Sequence, residues 1–473
     1  MNAFNLSTPL MEHQQKAVEK LMPTRVGALF MEMGTGKTLT AIELIRIRTS
    51  KIDKVVWFCP VSIKLTLQEE IKRHVPAASV YIFDESTSEE HLPLADWYIV
   101  GIESMSSSNR VVFAAQKLIT KDTFVVLDES AYIKTPRAIR SRRIIELTKD
   151  TKYRLALTGT PMTKGLEDLY MQMYFLSPKI LGYTSFQSFA NNHLVYDPKN
   201  KDRVMYSMNS EWISAKINPY TYQVTKDECL DLPAKVYERT YTFNGDTYEQ
   251  YQAVKAHYLN LLERFYDGRG VMIGDPSTLI FRMFSGLQKA LSGYNFEEDE
   301  WTEPEMRLER LERVIEEIGN EHKVIVWCKF LWDVECVKKL LAAKYGEDSV
   351  AEFTGQLKVA DRQKSIEQFR DNARFLVATP LSGGHGLTLN EASYVIYYTH
   401  SFDYAQRKQS EDRCHRIGQT KSVTYIDILA HDTIDTRIIK NIERKRDTLR
   451  DFREEFDKVK DDLEQARAMI EIL

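Results

Sequence analysis

Residues 31–38 read Met-Glu-Met-Gly-Thr-Gly-Lys-Thr. In the core of that stretch, Gly34-Thr35-Gly36-Lys37-Thr38, the glycines allow successive backbone N–H groups to curl around phosphate oxygens. Lys37 has the reach for the terminal phosphates of a nucleotide, and Thr38 offers a hydroxyl to Mg²⁺. A helix expected over Leu39–Ile47 would set its positive end beneath those phosphates. The fuller form of such a loop has a glycine five residues before Gly36, where this chain has Met31. The preceding Gly27-Ala28-Leu29-Phe30 supplies the short strand that the loop must leave.

A second cluster is acidic. Asp128-Glu129 follows the apolar run Phe124-Val125-Val126-Leu127. That places two carboxylates at the C-terminal end of a parallel strand, where open α/β sheets bind ligands. Asp128 suits orientation of Mg²⁺ through water, and Glu129 suits polarising a water for attack on phosphorus. An Asp-Glu turn after a strand is common by itself. A phosphate loop upstream in the same expected sheet gives it chemical meaning.

The elements that must position these groups are legible as short apolar runs. Val55–Cys59, Trp97–Val100, Phe124–Leu127 and Leu155–Leu157 read as buried strands in the first part of the chain. Val324–Trp327, Phe375–Ala378, Tyr394–Tyr398 and Val423–Leu429 read so in the second. Runs this short, rich in β-branched and aromatic residues and separated by helix-length segments, imply parallel sheets covered on both faces. Between them, Tyr248–Phe265 carries apolar residues at helical spacing and is expected to be a core helix. Residues 183–245 resist assignment. The acidic residues 295–305 are expected as a solvated loop. The expected organisation is an α/β region over 1–170, a mostly helical segment over 171–305, a second α/β region over 306–430, and a charged helical tail over 431–473.

Composition sets the outer limits. At roughly 150 residues per domain, 473 residues suggest about three domains. With 43% hydrophobic residues, disorder over the whole length is excluded. No apolar run approaches the roughly 18 residues of a membrane helix. The N-terminus does not read as a secretory signal, so the expectation is a cytoplasmic protein with no membrane partner. The five cysteines form no CxxC pattern, which implies a reducing compartment and no zinc site. A net charge of −4, from 64 basic and 68 acidic residues, leaves a nucleic-acid partner open, because local patches decide binding.

Longer strings now carry a resemblance. Asp128-Glu129-Ser130-Ala131 resembles motif II of superfamily 2 helicases, and Thr158-Gly159-Thr160-Pro161 their motif III in its SWI/SNF form. Ser382-Gly383-Gly384-His385-Gly386-Leu387-Thr388-Leu389 is similar to motif V of that family, and Gln409 through Gln419 to motif VI. Pro9-Leu10 with His13-Gln14, Cys59-Pro60-Val61-Ser62, Gly101–Ser104 and Ile325–Phe330 match further motifs in order. The chain is thus identified as similar to the SWI/SNF family of superfamily 2 helicase-like ATPases, in a compact bacterial or viral form near the annealing-helicase branch.

The resemblance implies two tandem RecA-like lobes, a helical insertion and a C-terminal brace helix. It implies ATP and Mg²⁺ as cofactors, with Gln14, Gly34, Thr35, Gly36, Lys37, Thr38, Gly386 and Gln409 around the nucleotide. Lys37, Asp128 and Glu129 would act from the first lobe. Arg413 and Arg416 would act as arginine fingers on a helix of the second, and Thr38 and Asp128 would hold the metal. Phosphate contacts would come from Ser104, Lys134, Arg137, Arg140, Lys329, Thr379 and Ser382, with little reading of bases. The implied activity is ATP-driven translocation on double-stranded or branched DNA by a monomeric motor, with separate protein partners left open. A strand-separating helicase and the motor subunit of a restriction or defence system are the alternatives. One departure stands out: Ala131 replaces the usual histidine of motif II, which puts the route of coupling to motif III in question. No nuclease-like or chromatin-reading segment is recognised, and nearly the whole length is expected to be motor.

Overall fold

The computed structural model of the chain describes residues 1, 3–162, 165–196, 204–242, 245–267, 272–274, 276–380, 388–416 and 419–473. They divide into two compact units, Met1–Asp231 and Leu232–Leu473.

The first unit contains β1 (Val26–Met31), β2 (Val55–Cys59), β3 (Val80–Ile82), β4 (Trp97–Gly101), β5 (Phe124–Asp128), β6 (Tyr153–Leu157), β7 (Leu194–Tyr196), β8 (Val204–Ser207) and β9 (Thr221–Val224). β7 and β8 form a separate antiparallel pair. The others make one parallel sheet in the order β3-β4-β2-β5-β6-β1-β9. Every residue of β2 is buried. Successive side chains of a strand point to opposite faces, so a strand covered on both sides must be apolar throughout. The packing shows this alternation. Val56 and Phe58 join Val100, Val125 and Leu127 in one core, while Val55, Trp57 and Cys59 join Trp97, Ile99 and Val126 in the other. Helix Lys37–Arg46 covers the second core with Ala41, Ile42, Leu44 and Ile45. Helix Glu167–Leu176 covers the first with Leu169, Met173 and Phe175.

Parallel pairing sends the C-terminal ends of β1, β6 and β5 to one edge of the sheet. The register sets Leu29 beside Leu157, and Leu157 beside Asp128. The phosphate loop, the Thr158–Pro161 turn and the acidic pair therefore leave adjacent strands at the same height.

The second unit contains β10 (Lys235–Thr242), β11 (Tyr294–Asn295), β12 (Glu300–Trp301), β13 (Val324–Trp327), β14 (Val350–Phe353), β15 (Phe375–Ala378), β16 (Tyr394–Tyr397) and β17 (Val423–Ala430). Six of these form a parallel sheet in the order β10-β17-β16-β13-β15-β14. Helices Glu305–Ile318 and Leu331–Tyr345 pack on one face, and helix Val359–Asp371 on the other. β11 and β12 pair as a short hairpin, with Glu297, Glu298 and Asp299 exposed at its turn. The acidic stretch is thus partly ordered by Trp301, which packs against Trp332.

Two expectations are corrected. Residues 171–305 contribute to both units, since β9 closes one edge of the first sheet and β10 one edge of the second. The tail from 431 is three helices, Ile434–Glu443, Thr448–Val459 and Leu463–Glu471, and not one brace helix. Lys445 adopts a left-handed backbone between the first two, and Asp447 and Asp462 cap the helices that follow. Their Ile438, Phe452, Phe456 and Ile470 share a core with Tyr251, Val254, Met283 and Phe284 of helices Asp246–Glu263 and Ser277–Leu291.

A buried ion pair ties the tail to the sheet layer: Arg307, 4% exposed, donates to Asp435, 2% exposed. Removing one partner would leave a charge in the interior. Asp435→Ala is expected to lower the stability of the full chain in urea by about 3–5 kcal/mol. The paired replacement Arg307→Met/Asp435→Leu should recover most of that loss. A change under about 1 kcal/mol in the single variant would show that the pair is not an anchor.

Candidate functional site

β1 delivers the chain into a loop at 32–36, where Gly34 and Gly36 have φ of 81° and 83°. The positive φ at Gly36 favours glycine, and a Cβ there would lie 2.1 Å from Gln14 Nε2 and displace that amide from the loop. Within the loop, the Thr35 hydroxyl donates to Glu32 O at 2.7 Å. Lys37 Nζ donates to Met31 O at 2.9 Å and to Glu32 O at 3.2 Å, so the ammonium lies inside the curl of the backbone. Helix Glu12–Leu21 braces the loop from outside. His13 Nε2 donates to Thr35 O at 2.8 Å, and Gln14 Nε2 donates to Thr35 O at 3.2 Å and to Gly36 O at 3.4 Å. Gln14, expected on the adenine side, here supports the loop that holds phosphate. Thr38 follows at the first turn of helix Lys37–Arg46.

β5 ends at Asp128, and the next residue turns sharply: Glu129 has φ 49° and ψ 57°. Left-handed backbone in a glutamate is uncommon and is held only where neighbours determine it. Glu129 N donates to Asp128 Oδ1 at 2.9 Å. The Thr158 hydroxyl donates to Glu129 Oε1 at 2.8 Å and accepts from Thr160 N at 3.1 Å. The Ser130 hydroxyl donates to Gln172 Oε1 at 2.7 Å, and Gln172 Nε2 donates to Pro161 O at 2.7 Å and Asp168 O at 2.8 Å. Lys134 Nζ lies 3.6 Å from Asp168. Burial pushes the Asp128 carboxyl up to about 7, the Glu129 charge adds to that rise, and the nearby Lys37 ammonium opposes it. Gln172 and Asp168 lie outside every sequence string that pointed to chemistry. Their one signal is that Gln172 interrupts the otherwise apolar Leu169–Leu176, four residues after Asp168, which directly precedes that run.

Thr38 and Asp128 have the chemistry for a hard cation. A carboxylate whose charge is disfavoured by burial gains from Mg²⁺, which uses one or two protein oxygens and completes its shell with phosphate and water. Among the described residues, no group of three or more His, Cys, Asp and Glu forms a protein-only metal cage.

In the second unit, Gln409 lies on helix Tyr404–Glu411. Arg413 and Arg416 were expected on the same helix but lie beyond its end. Arg413 is only 2% exposed, whereas Arg416 keeps partial exposure. Sequence reasoning missed Arg407, which anchors this helix. Its guanidinium is buried 3.5 Å from the Tyr397 ring centroid and pairs with Glu411 at 2.8 Å and Asp427 at 2.5 Å. Glu411 also takes Tyr237 at 2.8 Å and Lys235 at 3.2 Å, and these charges hold its carboxyl below the ordinary glutamate range despite burial. Gly386 and Ser382 lie outside the described residues.

The expected phosphate contacts divide. Arg137 and Arg142 are exposed on and just before helix Ile139–Thr148. Arg140 donates to Tyr132 O at 2.8 Å and stacks on the Tyr132 ring, and Lys134 faces Asp168. Ser104 begins the short helix Ser104–Ser107 and is partly exposed. Thr379 is 9% exposed. Lys329 departs from expectation: it donates to Gln288 and lies 3.9 Å from the Phe402 ring centroid, and burial pushes its ammonium down to about 7. In this arrangement its ammonium is turned to Gln288 and the Phe402 ring.

Comparisons with known proteins give the family. Residues 13–279 match the SNF2-related domain, and residues 306–418 the helicase conserved C-terminal domain. An uncharacterized ATP-dependent helicase of Mycoplasma pneumoniae is 27% identical over 92% of this chain and 42% of its own. The DNA annealing helicase and endonuclease ZRANB3 of Homo sapiens is 24% identical over 88% and 37%. The SWI2/SNF2 ATPase core of Sulfolobus solfataricus, solved in complex with dsDNA, is 22% identical, covers 100% of this chain and 97% of that one, and has a TM-score of 0.45. The chain spans less than half the length of these curated relatives. A single match over residues 13–279 takes in both the phosphate loop with Lys37 and the strand end with Asp128 and Glu129, so the chain belongs to the SNF2 family.

Proposed function

We propose that this chain is a DNA-stimulated ATPase that moves along double-stranded or branched DNA. The observation that carries the reading is the shared sheet edge: Lys37 lies close enough to Asp128 to oppose its rise in pKa, and Glu129 is locked beside them by Thr158. ATP enters with its phosphates in the curl of Gly34–Thr38, where Lys37 exchanges the carbonyls of Met31 and Glu32 for phosphate oxygens. Thr38 and Asp128 would hold Mg²⁺, which would supply neutralisation of the phosphate charge. Glu129 orients and polarises the water that attacks the γ-phosphorus, and ADP and phosphate leave. Arg416 of the second unit keeps a partly exposed, planar and permanently charged fork suited to phosphate oxygens.

DNA as partner rests on chemistry and kinship together. Arg137 and Arg142 present exposed guanidinium groups on a chain of net charge −4, so the basic surface is local. Relatives named as DNA helicases share most of this chain. Contacts of this kind go to phosphate, so binding should weaken steeply with salt and show little sequence preference.

Hydrolysis measured with and without duplex DNA tests the reading. Lys37→Ala and Glu129→Gln should each lower kcat by at least about 10²-fold, with Glu129→Gln retaining ATP binding. Wild-type turnover in either variant would refute the assigned roles. Movement is tested by triplex displacement on a long duplex: ATP-dependent release of the third strand is expected. Separation of a fork without triplex release would favour a strand-separating helicase.

A third test concerns Asp128. Its carboxyl rises from 3.8 to about 7 in the folded chain. Between those values the folded state holds a proton that the unfolded state has released, so stability falls as pH rises through that window. Asp128→Asn removes the titration. Without Mg²⁺, the variant should match the wild type near pH 4 and exceed it at pH 8, by ~2 kcal/mol after allowance for solvent contact. Equal stability at both pH values would show that Asp128 carries no such penalty.

A further inference from the structure

Gln172 lies outside the groups assigned to nucleotide chemistry, yet it joins two of the turns that carry them. It is 0% exposed on helix Glu167–Leu176. Its Oε1 accepts from the Ser130 hydroxyl, and Ser130 directly follows the left-handed Glu129. Its Nε2 donates to Pro161 O, at the end of the turn that begins with Thr158. Thr158 in turn holds the Glu129 carboxylate. A closed path therefore runs from Glu129 through Ser130, Gln172, Pro161 and Thr158 back to Glu129. Each link within it is a bond of 2.7–2.8 Å or a stretch of backbone.

The amide is suited to this place because it offers an acceptor on one side and two donors on the other. A carboxylate would lose both donations, to Pro161 O and to Asp168 O. An apolar side chain would leave the Ser130 hydroxyl and the Pro161 carbonyl buried without this partner, which costs more than the bonds themselves contribute. Ala131, by contrast, offers only a methyl group. The hydrogen-bonded route between the acidic turn and the Thr158–Pro161 turn runs through the two residues before it, by Glu129–Thr158 and Ser130–Gln172.

We propose that Gln172 is a positioning residue that fixes the attack geometry of Glu129 by locking the acidic turn to the Thr158–Pro161 turn. The proposal rests on the ATPase reading above. It predicts an effect chiefly on turnover, because none of the side-chain hydrogen bonds of the path ends on the phosphate loop.

The experiment compares wild type, Gln172→Met, Gln172→Glu, Ser130→Ala and the double variant Ser130→Ala/Gln172→Met in steady-state ATP hydrolysis with saturating duplex DNA. Gln172→Met should lower kcat at least about tenfold, with KM for ATP changed by less than about twofold. Ser130→Ala should lower kcat in the same direction, and the double variant should be little worse than Gln172→Met, since both act on one path. Gln172→Glu keeps the acceptor for Ser130 and loses the donor for Pro161, and should also be slowed. If Gln172→Met does not fold, Ser130→Ala and Gln172→Glu carry the same comparison. Wild-type kcat in Ser130→Ala and Gln172→Glu would overturn the proposal and leave the ATPase reading intact. A rise in KM with kcat unchanged would likewise overturn it. No hydrolysis by the wild type would overturn both.

Discussion

The backbone of Glu129 is the constraint on which the first unit's site depends. A glutamate at φ 49° and ψ 57° sits where an L side chain crowds its own carbonyl, at a cost on the order of 1 kcal/mol. The conformation stops β5 abruptly, so that Asp128 still belongs to the strand and Glu129 does not. Two adjacent carboxylates thereby leave the same strand end in different directions, which a continuing strand or a regular helix would not give. The turn is held by hydrogen bonds to both residues and to Ser130 beside them. The strain is therefore local, and the surrounding core, fully buried on both faces of β5, is what permits it.

The parallel sheet makes such a turn useful. Because β6 lies between β1 and β5, the Thr158 hydroxyl is one strand away from both the phosphate loop and the acidic pair. Thr158 N donates to Leu29 O, while its side chain donates to Glu129. A shift of the phosphate loop is thus felt at Thr158 through backbone, and at Glu129 through one further bond. The second unit uses a different device. There, Arg407 lies on the same helix as Gln409 and pairs with Glu411 of that helix and Asp427 of β17. Broken, such a buried pair would leave a charge stranded, so its value lies in fixing the helix more than in net stability.

How much of this was legible in the sequence depended on burial. β2, β5 and β13 were readable because both of their faces are covered, which forces uninterrupted apolar residues. β10 reads Lys-Val-Tyr-Glu-Arg-Thr-Tyr-Thr, and most of it is exposed at the edge of its sheet. No apolar pattern marks it, and only its full-length pairing with β17 defines it. β9 closes the other sheet with four residues, too few for a period to show. The same limit applied to side chains. Lys37, Asp128 and Glu129 were identifiable because their chemistry is tied to backbone turns that short strings encode. Lys329 and Arg413 match strings equally well, yet the structure turns Lys329 onto Gln288 and Phe402 and buries Arg413. A sequence string states which residue is present and not which way the surrounding core turns it.

Charge follows the same logic. The net value of −4 is nearly silent about partners, because many of the basic groups are already engaged inside the fold. Arg48 donates to the carbonyls of Leu21, Leu44 and Thr24, Arg307 to Asp435, and Arg407 to Glu411 and Asp427. These guanidinium groups serve as rigid multi-donor pins, for which their planar fork and permanent charge suit them. Removing them from the count leaves fewer cations to meet DNA, and makes the exposed Arg137 and Arg142 stand out from their surroundings. They lie on the segment that follows the acidic turn, joined to it through Lys134 and the Ile133 carbonyl, which accepts from the buried Ser141. The proposed DNA surface and the hydrolytic carboxylate are therefore parts of one continuous stretch, 128–143. The backbone would supply a short mechanical connection between the proposed DNA surface and the proposed base, Glu129.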